Sequence, residues 1–267
     1  MKYAFKKVRR IILNDLQTKK HKVTLNDLKS FAIKGSQETV YAEGTDGTKL
    51  AAFDINKVAS IEASNGSVDE GYIALQTGTD VVKVTNGSSI LIREEFEIKK
   101  GDTKVTLSYK AAGTEGSEIK FIYKADSNGM PKEDYAQKSA VSATEFTYTP
   151  DSKEITLPTD AFSEGDMVIV DYYPTFSEYE EISNEANKFS LSCEVIIDAW
   201  FTDLSTDADV PLQLYLPKGK VSGEIDLTAG DQAAVQNITI ESMTRSCCGT
   251  SKNLWTLRRY DMSDIVD

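Results

Sequence analysis

Few side chains in this sequence could act as a nucleophile, a general base or a zinc ligand. The chain has one histidine and three cysteines among 267 residues. His21 lies between Lys20 and Lys22 and has no adjacent carboxylate to orient its imidazole as a base. A Cys/His zinc site needs four ligands and usually a C-x-x-C pair, and the sequence contains neither this pair nor a glycine-rich phosphate-binding motif. We therefore expect no catalytic residues, no metal, no cofactor and no enzyme activity.

Carboxylates are the remaining candidates for chemistry. The chain has 42 acidic residues, so the number of carboxylates alone does not exclude a glycosidase pair. Asp203, Asp207 and Asp209 form a D-x-x-x-D-x-D cluster whose oxygens could surround a calcium ion. The cluster lacks the glycine turn and the distant glutamate of an EF-hand. Two interpretations stay open, a calcium loop and an exposed acidic loop.

The cysteines and the apolar runs indicate where the chain folds. Cys193 stands alone, whereas Cys247 and Cys248 are neighbours, a pattern without the spacing of a secreted disulfide framework. We expect free thiols; the alternative is a strained disulfide between the two neighbours. The longest early apolar run, residues 11–13, is too short for a signal peptide or a membrane span. The sequence therefore predicts a protein that folds in a cytoplasm and has no membrane partner.

Charge is distributed unevenly along the chain. Residues 1–34 contain ten Lys or Arg and two acids, a net charge of +8, which leaves −20 on the other 233 residues. The overall charge of −12 argues against wrapping by nucleic acid. The basic N-terminal arm is either a solvated tail or a strap that docks on the acidic surface of a neighbouring copy. The strap would use the following side chains: Lys6, Lys7, Arg9, Arg10, Lys19 and Lys20.

The dominant sequence period is two, the repeat of a strand with one buried face. It is clearest in the odd-numbered apolar residues of 189–197, in Leu212, Leu214 and Leu216, and in Ile238 and Ile240. Val221, Ile225 and Leu227 continue the same pattern. Turn dipeptides are typical of hairpins; they are Asp46-Gly47, Asn65-Gly66, Asn86-Gly87 and Asn128-Gly129. The sequence predicts a mainly β fold, an antiparallel β-sandwich or partial barrel.

One short helix and one possible subdomain complete the predicted architecture. Residues 183–188, with Ser183 as cap, could form the helix. Residues 95–175 form a self-contained series of strand-like segments that ends near Pro174, a residue unsuited to a central strand. They could be an inserted β subdomain between residues 1–94 and 176–267, which together would make the main sandwich. A single continuous sandwich is the alternative.

The late part of the sequence resembles a known family. Residues 211–221, followed by residues 224–227, resemble the late strands of tailed-bacteriophage tail tube proteins. The preceding order is also similar: a tyrosine-rich strand at 168–173, a short helix at 183–188 and a long alternating strand at 189–197. Residues 44–54 and 74–78 look like virion proteins of phages that infect Gram-positive bacteria. No motif in these stretches is a catalytic signature.

The resemblance implies a virion protein assembled in the host cytoplasm. Tail tube subunits close into rings, usually hexameric, and the rings stack into a tube through which DNA leaves the capsid. The implied partners are other copies of the chain, the tape measure and terminator proteins, in a contractile tail the sheath, and DNA as passing cargo. Two other classes stay open: another virion component, such as a decoration, stopper or baseplate protein, and a carbohydrate-binding adhesin-like sandwich.

Strand parity gives two further expectations, and the charge and weak alternation of the N-terminal arm give a third. Glu194, Glu224 and Asp226 should point away from the core, where they could line the channel as bands of negative charge or lie on an outer face. Lys120 and Lys124 should lie on the polar face opposite Ile119, Phe121 and Tyr123. Deletion of residues 1–34 should remove ring stacking and leave a folded body.

Overall fold

The computed structural model describes residues 2–126, 129–228, 235–244 and 252–261. It is mainly β, with antiparallel sheets and a nearly closed partial barrel, so the predicted fold class is confirmed. The chain divides into two compact units, the first made of residues 1–81 and 182–267 and the second of residues 82–181. The predicted subdomain 95–175 lies within the second unit, whose bounds are wider at both ends.

The elements in chain order are β1 (Tyr3–Asp15), β2 (His21–Leu25), β3 (Leu28–Glu43), β4 (Lys49–Asn65), α1 (Glu70–Thr77), β5 (Val82–Gly87), β6 (Ile92–Glu97), β7 (Lys104–Thr106), β8 (Phe121–Ala125), β9 (Pro131–Gln137), β10 (Glu145–Thr149), β11 (Glu154–Thr156), β12 (Met167–Tyr172), β13 (Phe176–Glu181), β14 (Ser192–Asp203), β15 (Asp209–Val221), β16 (Leu227–Thr228), β17 (Val235–Ser242) and β18 (Thr256–Arg259). Within the described residues, the helix is too short to span a bilayer.

The first unit is built on one antiparallel sheet with the strand order β2-β1-β14-β15-β17-β4-β3. β16 pairs with β17, and β18 pairs with β15. Leu212, Leu214, Leu216, Ile238 and Ile240 are buried, which confirms the alternation predicted for these strands. Leu214, Leu216, Ile238 and Ile240 form one core cluster with α1, since Tyr72 and Leu75 of the helix belong to the same cluster.

The N-terminal segment is part of this core. β1 pairs with β14 from Tyr3 to Asp15, and β2 pairs with its second half. Ile11 and Leu13 are fully buried, and Val23 and Leu25 of β2 lie in the same cluster. The expectation that residues 1–34 are dispensable for folding is therefore wrong. The count of charged residues reflected the exposed positions of β1. It did not take into account the apolar residues that alternate with them.

The helix lies elsewhere than predicted. The carboxylate of Asp69 accepts a hydrogen bond from the Tyr72 backbone N–H at 2.9 Å, and Gly78, with φ of 74°, ends the helix in the left-handed region. Residues 183–188 contain only a turn. β14 begins at Ser192, so Phe189 lies outside it and is 77% exposed. Asn65-Gly66 leads from β4 towards the helix, whereas Asp46-Gly47 lies in the predicted hairpin turn; Asn128 is outside the described residues.

The second unit has its own sheet and core. The sheet order is β6-β12-β8-β9-β10-β11-β7, and β13 pairs with β5 in a separate ribbon. All these pairs are antiparallel except β9 with β10, which is parallel. The core cluster is large and apolar; it includes Leu107, Ile119, Ile122, Phe146, Tyr148, Ile155, Leu157, Val168, Val170 and Tyr172.

The parity predicted for β8 is wrong. Ile122 is fully buried, whereas Phe121 and Tyr123 are half-buried. The two-residue period breaks between Ile119 and the strand, because residues 118–119 form a bend. Lys124 is consequently not a free polar-face residue, since its ammonium pairs with Asp166 at 2.7 Å.

Candidate assembly surfaces

The longest strands of the protein, β3 and β4, form a hairpin that extends past the rest of its sheet. β17 pairs with β4 only from Ala59 to Asn65. Beyond that point Ser36 pairs with Val58 and Glu38 pairs with Ile55, so one residue on β3 opposes two on β4 in a β-bulge. We call residues 38–55 the distal hairpin. In the part of the chain that the structure describes, its two strands pair only with each other.

Local contacts define the bulge. Asn56 has a φ of 53°, in the left-handed region that asparagine tolerates better than most residues. Its side-chain amide donates a hydrogen bond to the Glu38 carboxylate at 2.8 Å. A bulge bends and twists the strand that contains it. The distal hairpin therefore begins at a fixed bend.

The two faces of the distal hairpin differ in character. Directly paired residues share a face, which puts Val40 with Phe53 and Glu38 with Ile55 on one side. Val40 is 44% exposed, Phe53 58% and Ile55 43%. Ala42 and Ala51 are paired on this same side and are exposed. We call Val40, Ala42, Ala51, Phe53 and Ile55 the apolar hairpin face.

The opposite face of the hairpin is mixed: Tyr41 and Ala52 are paired there and exposed, and Leu50, which alternates onto it, is 71% exposed. Thr39 donates a hydrogen bond through its hydroxyl to Asp54 at 2.8 Å. The Lys49 ammonium lies 3.8 Å from the centroid of the Tyr41 ring, in a cation–π contact. A two-stranded hairpin is marginally stable in water by itself, and a contiguous exposed apolar patch marks an interaction surface. The apolar hairpin face is therefore our candidate surface for binding another protein.

A second candidate surface is the outer side of the same sheet. Strands β3, β4 and β17 present mainly small polar and acidic side chains there; they are Ser30, Lys34, Ser60, Glu62, Ser64, Asn237, Thr239 and Glu241. We call this set the polar sheet face. Ser30 and Ser64 share a hydrogen bond of 2.6 Å, and Lys34 pairs with Glu62 at 2.6 Å.

Two of the three acids predicted from parity lie beside this face. Asn237 donates a hydrogen bond to the Asp226 carboxylate at 2.7 Å, and Gln76 donates to the Glu224 backbone carbonyl at 2.6 Å. Glu224 and Asp226 line a depression of about 380 Å³ together with Glu62. Sequence reasoning missed Glu62, whose strand pairing depends on residues far along the chain.

Alternation along a strand predicted that these two acids lie at the surface, but the strand assumed for them is not present. β15 ends at Val221, and residues 222–226 are not in a strand. Ile225 and Leu227, expected in the core, are 38% and 47% exposed. The acids lie at the surface because residues 222–226 form an irregular segment beside β17, between the stretches in which β15 and β16 pair with that strand, and not because the segment alternates.

Glu194, the third predicted acid, is in a different environment. It is only 7% exposed. Its carboxylate accepts hydrogen bonds from Lys19 at 2.5 Å, from the Tyr215 hydroxyl at 2.6 Å and from Asn14 at 3.4 Å. Burial raises the pKa of Glu194, but these hydrogen bonds outweigh it, so that the pKa lies below its ordinary value. Contrary to expectation, Glu194 is the acid of an ion pair within the chain and not an exposed charge.

The basic N-terminal residues also find acids within the chain. Lys6 pairs with Asp209 at 2.5 Å and Arg10 with Asp198 at 2.7 Å, as Lys19 does with Glu194. The Lys6–Asp209 pair is exposed on both sides, whereas the acids paired with Arg10 and Lys19 have side chains only 14% and 10% exposed. Three of the six predicted strap residues are thus already engaged. The other three, Lys7, Arg9 and Lys20, are exposed and have no ion pair within the described residues.

Two of the three aspartates considered for a calcium site, Asp203 and Asp209, have partners within the chain. Asp203 accepts hydrogen bonds from the Ser205 hydroxyl and backbone N–H, which lower its pKa, and Asp209 binds Lys6. Among the described residues, no three His, Cys, Asp or Glu side chains converge as metal ligands. Burial raises the pKa of the free Cys193 thiol to about 11. Cys247 and Cys248 lie outside the described residues.

His21 has a local partner as well. Its Nε2 lies 2.7 Å from the Thr24 hydroxyl, and the ring is exposed on β2. Neither this contact nor the sequence around it gives the imidazole an acid or a nucleophile to act upon.

Comparison with known proteins identifies the family of the chain. The model of the YomU/Tube protein family matches residues 4–255, a stretch that runs through both units. No curated protein matches the chain. The resemblance to phage tail tube proteins, first indicated by the late strands, is confirmed, and the chain belongs to the YomU/Tube protein family.

Proposed function

We propose that this protein is a virion structural subunit that self-assembles into stacked, hexameric rings, which form the tail tube and conduct DNA during ejection. Membership of the tube family supports a structural role. The assembly would take place in the host cytoplasm, and the host would be a Gram-positive bacterium. Other copies of the chain, the tape measure and terminator proteins, and in a contractile tail the sheath, are its proposed partners.

The observation that carries this proposal is the exposed apolar hairpin face. Complete burial of a Val, Ile or Phe side chain stabilises by about 1.5–3 kcal/mol, and Val40, Phe53 and Ile55 are each about half exposed. Covering these three would then contribute roughly 2–4 kcal/mol per copy. A contact of this size is weak for one pair of subunits. It becomes strong in a ring, where every subunit donates one hairpin and receives another.

The polar sheet face is our candidate for the channel wall. Its serines and threonine are short, and its acids, with Glu224 and Asp226 at the rim, would repel a phosphate backbone weakly. A wall of lysine or arginine would instead bind phosphates and slow the passage of DNA. The exposed Lys7, Arg9 and Lys20 are the residues left to strap one copy to the acidic surface of another.

Two substitutions on opposite faces of the hairpin test whether the apolar hairpin face is the assembly contact. Ala51 lies on the apolar hairpin face and Ala52 on the opposite face, and both are exposed. We expect Ala51→Glu to abolish ring and tube formation, because an unpaired charge buried at a contact costs several kcal/mol. Ala52→Glu should assemble like the wild type. Negative-stain electron microscopy and sedimentation velocity measure assembly, and circular dichroism checks that both variants are folded.

The same experiment can contradict the proposal in two ways. Normal tubes from Ala51→Glu would show that the apolar hairpin face is not the contact. A wild-type protein that stays monomeric at high concentration would contradict self-assembly itself.

A further inference from the structure

The second unit contains an open cavity that tube assembly does not explain. It has a volume of about 920 Å³, within the usual range for small-molecule sites, and all its lining residues belong to this unit. Its walls combine apolar and charged side chains; those used below are Tyr109, Lys110, Glu115, Asp151, Pro174 and Phe176.

The loop that carries Tyr109 is held from beneath by buried tyrosines. The Tyr109 backbone N–H donates to the Tyr172 hydroxyl at 3.2 Å, and the Ala111 N–H donates to the Tyr148 hydroxyl at 2.9 Å. The Tyr172 hydroxyl in turn donates to Glu94. Tyr172 is 1% exposed and Tyr148 8% exposed, so these anchors lie in the core. The loop is consequently preorganised by the core of the unit.

On this anchored loop the Tyr109 ring points outward. It is 57% exposed, and its hydroxyl has no hydrogen bond within the described residues. A large aromatic ring held at the wall of a cavity by a fixed backbone loses little conformational entropy when a ligand stacks on it. Pro174 and Phe176 extend the apolar surface beside it.

Charged groups of both signs surround this apolar surface. The Lys110 ammonium and the Asp151 carboxylate form a solvent-exposed pair at 3.1 Å, with side chains 58% and 97% exposed. Glu115 has no ion pair or hydrogen bond within the described part of the chain. The cavity therefore presents an aromatic ring, an ammonium group that can donate hydrogen bonds and carboxylates that can accept them. All these groups are accessible to water.

We propose that this cavity binds a neutral oligosaccharide. A pyranose ring has a face of C–H groups that stacks on an aromatic ring, and its hydroxyls both donate to carboxylates and accept from an ammonium. An anionic ligand would meet more carboxylates than ammonium groups, and a purely apolar ligand would strip water from the Lys110–Asp151 pair without replacing it. The inference is independent of the proposed assembly. Repetition of a weak site on many copies would raise its avidity.

Saturation-transfer difference NMR on the full-length protein tests this site, since the method works on monomers and assemblies alike. The probes are the tetrasaccharides of β1,4-glucose, α1,4-glucose and β1,4-N-acetylglucosamine, with a proline-rich decapeptide as the competing class. We expect at least one tetrasaccharide to bind and the peptide not to bind. Tyr109→Ala should weaken the binding at least tenfold.

Tyr173→Ala is the matched control, because Tyr173 is 45% exposed in the same unit but does not line the cavity. It should bind the saccharide within twofold of the wild type. Circular dichroism establishes that both variants are folded. The proposal is overturned if none of the three tetrasaccharides binds, if Tyr109→Ala binds as tightly as the wild type, or if the peptide binds at Tyr109 in their place.

Discussion

Replacement of one isoleucine in β1 tests whether the basic N-terminal segment belongs to the core. Ile11 is fully buried between its strand partners Ile197 on β14 and Leu25 on β2. Ile11→Ala removes these contacts and leaves a cavity, which costs about 2–5 kcal/mol of the free energy of unfolding. Ile12, the next residue, points to the opposite face and is half-buried. We expect Ile12→Ala to cost about 1 kcal/mol or less.

The assay can be made specific for the first unit. Both tryptophans of the sequence, Trp200 and Trp255, lie in this unit. Guanidinium unfolding of the monomeric fraction, followed by tryptophan fluorescence, therefore reports the unit that contains β1. Because the two units have separate cores, one transition need not describe the whole chain.

The comparison of the two variants decides the interpretation. A detachable arm would make Ile11→Ala as mild as Ile12→Ala, and both would unfold with the wild-type midpoint. That result would refute the assignment of β1 to the core and would restore the strap as a separate segment.

Three other changes give distinct readouts. Glu194→Gln should flatten the fall in unfolding free energy between pH 7 and pH 3, because the lowered pKa of Glu194 stabilises the fold at neutral pH and this contribution disappears as the carboxylate protonates; an unchanged slope would contradict it. Gly78→Ala should destabilise the first unit by about 1–3 kcal/mol in the fluorescence assay, since φ is positive and the added Cβ would overlap the Phe189 carbonyl oxygen. Glu224→Lys combined with Asp226→Lys should leave rings intact and slow DNA ejection at low salt, whereas unchanged ejection would remove both acids from the channel wall.

The strands that sequence reasoning located correctly are those with one buried face. Leu214 and Ile240 are buried because their alternation directs every second side chain into one core. The distal hairpin gives no such signal, since neither of its faces is covered and its apolar residues follow one another at Leu50, Ala51, Ala52 and Phe53. A turn could be predicted there, but not that the strands leave the sheet.

The environment of Glu194 shows a second limit. Parity correctly turned its side chain away from the core, yet it is covered by Lys19, in the turn between β1 and β2, and by Tyr215 on β15. The alternation of one strand predicts the direction in which its side chains point. It contains no information about which long side chain from elsewhere in the fold covers them. The same limit applies to β1, where a local charge count concealed Ile11 and Leu13.

The hairpin links the two surfaces that the proposed function needs. The proximal half of β4 contributes Glu62 and Ser64 to the polar sheet face and is held in register by β17 as far as Ala59. Past the bulge at Asn56, the same strand carries Phe53 and the rest of the apolar hairpin face. In the proposed assembly, the sheet and the bulge would set the direction in which the distal hairpin reaches a neighbour. Docking of the hairpin would then also orient its own polar sheet face, so that one contact would specify both the assembly of the ring and the alignment of the acids along a channel.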